Sequence, residues 1–165
     1  MNFVEVRVHS VRVSTVTYQR AAVLVEVLPE EKGVSKSPRI LPIWMNEAGA
    51  DAIAVVTLGI DVPRPQTHDF IKNILDTTGC VLIAVYINDL VGDTFIARAV
   101  IEMKKKLYNV DCKPSDGIAI ALRANSPIFV AEDVMARASV PEDAIKAQSD
   151  FIPLEFKDKN DQNQK

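Results

Sequence analysis

The run DGIAIALR, Asp116 to Arg123, matches in three of its first four positions the DAIA of Asp51 to Ala54, 65 residues earlier, with Gly117 in place of Ala52. A weaker echo sets His68-Asp69-Phe70-Ile71 64 residues before Glu132-Asp133-Val134-Met135. Each of the two matching runs reads as a helix preceded by three strands. The spacing therefore predicts a duplicated unit of strand, strand, strand, helix, helix. Neither half alternates strand with helix regularly. The expected class is α+β, a mixed β-sheet with packed helices, and not a doubly wound parallel sheet.

Working outward, the opening FVEVRVHSVRV puts Val4, Val6 and Val8 on one face, and Val11 and Val13 then break the parity, which predicts a bulge near His9 and Ser10. AAVLVEVL is a second strand, ended by Pro29 and the polar loop EEKGVSKSP. Ile40 to Trp44 carries Pro42 and reads as an edge strand, with Trp44 expected in the core. A helix from Glu47 to Leu58 follows, stopped by Gly59, and its small residues Ala48, Ala50, Ala52 and Ala54 allow close packing. CVLIAVYI reads as a central strand apolar on both faces, Asn88 to Asp93 as a turn, and Thr94 to Met103 with Lys106 onward as a hairpin with a basic tip. Ser115 is the expected cap of the helix after Pro114. A short strand at Pro127 to Val130, a helix at Glu132 to Ala138 and one or two helical turns from Pro141 complete the reading. Residues 1–140 make one domain, and 141–165 a helical turn and a polar tail with too little apolar surface to fold.

The stretch RPQTHDFIKNIL, Arg64 to Leu75, brings most chemistry into least space. Pro63 and Pro65 hold the chain extended, Thr67 sits where a cap belongs, and Phe70, Ile71, Ile74 and Leu75 form an apolar face. His68 and Asp69 then fall in the first helical turn, where free N–H groups and the helix dipole favour anions. In the plainer reading Thr67 and Asp69 cap the helix while His68 faces solvent. In the other, His68 moves a proton at a site that Arg64 helps to line.

The 165 residues, 48% hydrophobic and 25% charged, fit a single core, one that buries roughly 70% of the unfolded surface. A net charge of -3 provides no global field for nucleic acid. The longest uncharged run, Thr77 to Asn88, is interrupted by Gly79 and is too short for a bilayer, so no membrane segment is expected. The N-terminus shows no basic region followed by an apolar one, and Cys80 and Cys112 form no CxxC pair. A cytoplasmic protein with buried, unreactive thiols is expected. Valine-rich strands with an uncovered edge predict a homo-oligomer. Candidate carboxylates for a divalent ion are Glu47, Asp51, Asp69, Asp93, Asp111 and Asp116, but no short ligand motif groups them. Glycine-rich phosphate loops, nucleophile elbows and zinc-knuckle spacings do not occur.

The RPxTHD of Arg64 to Asp69 resembles the bifunctional nuclease family. So do ILPIWMNEAGADAIAV at Ile40 to Val55, GDTFIARAVI at Gly92 to Ile101, and DCKPSDGIAIALRANSPIFVAEDVM at Asp111 to Met135, in that family's order. The resemblance implies a metal-dependent nuclease that hydrolyses DNA and RNA with little sequence preference. It implies His68, Asp69 and Asp116 as catalytic residues, and Arg64, Lys113 and Arg123 as phosphate-binding ones. A divalent cation (Mg²⁺, Mn²⁺ or Ca²⁺) would be held by Asp69, Asp116 and Glu47. Lys113 stands where the family pattern has arginine, which keeps the charge and loses the bidentate fork. Plant and some bacterial relatives add a UvrB/UvrC-type motif, which the residues after Met135 lack. The alternative is a non-catalytic oligomeric binding or regulatory domain that recognises an anionic ligand around Arg64, His68 and Asp116.

Overall fold

The computed structural model describes residues 2–28 and 37–156. The expected polar loop falls mainly in 29–36 and the polar tail in 157–165, outside the described residues. β1 (Phe3–Ser14), β2 (Arg20–Glu26) and β3 (Ile40–Met45) form an antiparallel meander. β4 (Val81–Val91), β5 (Thr94–Met103) and β6 (Lys106–Cys112) form a second. α1 (Glu47–Thr57) and α2 (Thr67–Thr78) follow the first meander, and α3 (Pro114–Ala124) follows the second. There the duplication departs from its simplest form, because β7 (Ile128–Ala131) intervenes before α4 (Glu132–Ala138).

That extra strand joins the halves. β7 runs antiparallel to β1 and parallel to β4, giving one mixed sheet in the order β3-β2-β1-β7-β4-β5-β6. The register shift between Val8 and Ser10 lies where the broken alternation predicted it. Beyond the bulge, Arg12 to Ser14 pair with β8 (Phe151–Pro153), a strand not anticipated from the sequence, which follows α5 (Glu142–Lys146). Arg39 ties the meander to α4. Its guanidinium donates to both carboxylate oxygens of Glu26 at 2.8 Å and to those of Glu132 at 2.7 and 3.0 Å.

The main core lies between the sheet and α1, α3 and α4, and includes Leu24, Leu41, Ile53, Val85, Ile87, Ile118 and Met135. A smaller cluster on the other face joins Ala21, Val23, Val25 and Ile40 to Ile145 and Phe151. β2 is thus buried on both faces, whereas β4, expected to be, leaves Val81 and Ile83 exposed because no helix covers that side. Trp44 is also displaced from its expected place in the core. It is 47% exposed on the edge strand and leans on Phe151 with ring centroids 5.1 Å apart.

Small residues let α1 and α3 meet closely. A Cβ on Gly49 would lie 2.8 Å from that of Ser115, and one on Gly117 would lie 2.8 Å from a Val85 methyl. Gly49→Ala gains about 1 kcal/mol of helix propensity but overpacks a tight contact, at a cost of about 1–3 kcal/mol. Net destabilisation in urea unfolding is expected, and Ser115→Gly in the same chain should relieve part of it. Additive effects in that double-mutant cycle would contradict the close contact.

Candidate active site: a cleft at the helix starts

Pro65 delivers the chain extended to Gln66, which caps α2 in place of the expected Thr67. The Gln66 N–H donates to Asp69 Oδ2 at 2.7 Å, the returning half of a capping box. Likewise Lys113 caps α3, with Pro114 in the first turn and Ser115 inside the helix. α2 departs further from its amphipathic pattern. Phe70, Ile71 and Ile74 are exposed, and His68 is its one buried residue, 9% accessible.

These helix starts and the ends of β5 and β6 enclose a cleft of about 860 Å³. His68, Lys113 and Asp116 line it, together with Asp51 and Asp111. Its remaining wall is largely aliphatic, from Ile71, Leu75, Ile101, Val110 and Ile120. His68 Nε2 lies 3.2 Å from Asp116 Oδ1, and Lys113 Nζ lies 3.5 Å from the same oxygen. A carboxylate only accepts, so the Nε2 proton faces Asp116, and whenever the ring is neutral its lone pair is at Nδ1. Nδ1 has no hydrogen-bond partner among the described residues. Cys112 also lines the cleft. Burial, with Asp111 and Asp116 adding to it, pushes its thiol up to about 11, so it stays protonated.

The other sequence-predicted residues sit elsewhere. Asp69 and Arg123 lie behind the cleft lining and bind each other at 2.5 Å. Arg123 also donates to Ala52 O at 2.9 Å, Ala119 O at 3.0 Å and Gln66 Oε1 at 3.3 Å. Its side chain is 6% exposed and turned to protein acceptors instead of ligand. Glu47 pairs with Arg20 at 2.7 Å, and Asp51 with the same guanidinium. Arg64 is exposed and has no hydrogen-bond or ionic partner among the described residues. Asp69, Asp116 and Glu47 therefore do not assemble. Among the described residues no group of three His, Cys, Asp or Glu side chains is arranged to hold an ion. These donors do not fit a closed cation site of this chain's own. Gln66, which reading Thr67 as the cap concealed, is the residue the sequence reading missed. Asp69 three positions after it was the available signal.

Sequence comparison places the chain among known domains. It belongs to the bifunctional nuclease domain family, whose sequence model matches residues 27–143. Uncharacterized proteins of two Mycobacterium tuberculosis strains, H37Rv and CDC 1551, are 38% identical over 136 residues, 82% of this chain and 76% of theirs. Bifunctional nuclease 1 of Oryza sativa subsp. japonica is 32% identical over 107 residues, 63% of this chain. The chain spans only 31% of that rice protein's length. No helix among the described residues is long and apolar enough to cross a membrane.

Burial raises the Asp69 pKa, but the Gln66 N–H and the Arg123 guanidinium outweigh it and hold the carboxyl below its usual 3.8. A depressed folded-state value means the unfolded chain binds more protons as acid is added. The stability from Asp69 is present above about pH 4 and is lost as pH falls through its folded value. Asp69→Asn should lower stability at neutral pH and flatten the acid limb of a stability-against-pH curve. A variant limb as steep as the wild type's would remove Asp69 as a source of that slope.

Proposed function

We propose that the chain is a nuclease that hydrolyses phosphodiester bonds of DNA and RNA with little sequence preference. The observation that carries this reading is the nearly buried His68 held by Asp116 at the wall of an open cleft, in a chain of the bifunctional nuclease domain family. Asp116 fixes the ring's tautomer and orientation, and the free lone pair at Nδ1 takes a proton from the attacking water. Lys113, at the cleft edge, places positive charge against a phosphate oxygen. Asp69, Gln66 and Arg123 act behind them as positioning residues that hold the first turn of α2. Arg64, exposed just before that turn, is free to reach a neighbouring phosphate. No step is assigned to a divalent ion, because the carboxylates do not converge on one.

A specific observation favours the second reading, a binding or regulatory domain for an anionic ligand. The cleft wall is mostly aliphatic, and Lys113 and Asp116 meet each other on it. Thermal shift separates the two readings in part, since an anion pocket should respond to phosphate or nucleotides without turnover.

Purified protein should cleave single-stranded DNA, duplex DNA and RNA, assayed with Mg²⁺, Mn²⁺ or Ca²⁺ and with chelator. His68→Ala and Asp116→Asn should each lose on the order of 10²–10⁴-fold in rate while keeping the wild-type circular dichroism. Lys113→Ala should weaken substrate affinity more than turnover. Equal cleavage by wild type and His68→Ala would assign the activity to a contaminant and leave the binding reading.

A further inference from the structure

The cleft is poor in positive charge for an anionic substrate. With Asp51 neutralised by Arg20, its charged lining is Asp111 and Asp116 against Lys113. Three lysines, Lys104, Lys105 and Lys106, are gathered instead at the β5–β6 hairpin tip, at the far end of β6. Lys104 and Lys105 form a two-residue turn with φ of 51° and 63°. That left-handed pair is the ground of glycine and asparagine. Two lysines held there at a conformational cost point to a role beyond turning the chain.

The two edges of the sheet are treated differently. β3 carries Pro42 and is bridged at Ile40 by Val140. β6 has neither proline nor bulge, pairs only with β5 among the described residues, and is exposed at every residue except the half-buried Cys112. Leu107 is 63%, Tyr108 43% and Val110 45% accessible. Met103 faces Lys106 across the two-residue turn, so that pair is hydrogen-bonded and the alternation leaves the N–H and C=O of Leu107, Asn109 and Asp111 pointing outward. These groups match themselves about a two-fold axis at Asn109, which pairs Leu107 with the second copy's Asp111 and sets Tyr108 beside its Val110.

We infer that two copies join antiparallel through β6 about Asn109, so that the lysine tip of each completes the other's cleft with the positive charge a phosphodiester needs. In this register the second copy's Lys106 stands opposite Cys112, on the face that lines the cleft, toward Lys113 and Asp116. The axis is perpendicular to the sheet, so both clefts open to one side. Charge complementarity selects this occupant, the basic tip meeting the acidic end of the cleft. The pairing also covers the exposed Tyr108 and Val110. The substrate contact rests on the phosphodiester reading. The pairing does not, and the measurements below use no substrate.

Sedimentation at tens of micromolar should give twice the 18.2 kDa chain mass. Asn109→Pro removes an outward N–H that the single chain does not use, and should halve the mass with the circular dichroism kept. As a second reading, Tyr108→Cys and Val110→Cys chains mixed together should form a disulfide joining position 108 of one to position 110 of the other. Neither variant alone should link at those positions, since only the mixed pair stands opposed. Carbodiimide treatment of mixed light and isotope-labelled chains should join Lys104, Lys105 or Lys106 of one to Asp111 or Asp116 of the other. A monomeric wild type overturns the proposal, as does a dimer indifferent to Asn109→Pro that yields no 108–110 disulfide. A dimer with that disulfide but no such lysine cross-link overturns the shared cleft.

Discussion

The Arg123 guanidinium is the contact on which the site's geometry depends. It reaches the side chains of Asp69 and Gln66 at the start of α2, the Ala52 carbonyl in α1 and the Ala119 carbonyl in α3. Three helices are thereby fixed at one point. A buried guanidinium is tolerable only if its donors are satisfied, and here they are shared among all three helices. The arrangement explains why α2 holds its position while burying only His68.

Close backbone approach supports that junction. Gly49 against Ser115, and Gly117 against Val85, let α1 and α3 lie near enough for one arginine to span them. The cleft is the space left where the starts of these helices diverge over β5 and β6. Its chemistry therefore comes from residues 48 positions apart, His68 and Asp116, each in the first turn of its helix.

Much of the fold was legible because strand and helix periods are local. The bulge after Val8, the Thr94–Met103 strand and the Glu132–Ala138 helix followed from alternation, capping and glycine or proline punctuation. Tertiary choices were not legible. Phe70, Ile71 and Ile74 have the spacing of a core face, yet the helix lies over a cleft instead of over the sheet. β8 is only three residues long and owes its pairing to a bend in β1 that the sequence marks without saying what fills it. For the site, His68 and Asp116 were named singly from helix-start chemistry, but their meeting is a long-range fact. Arg123 has the residue type of a phosphate clamp, and only its surroundings turn it inward.

α2 is clamped at its first turn by Arg123 and held at its far end by the two-residue step, Gly79 and Cys80, into β4, with an exposed apolar flank between. The clamp is the same turn that holds the imidazole. Ile71 and Leu75, farther along the same helix, line the cleft, so their size bears on the width of the opening and leaves the ring nitrogens where they are. Tolerance for the girth of what enters is thus carried by those two side chains, apart from the imidazole at the root of the helix.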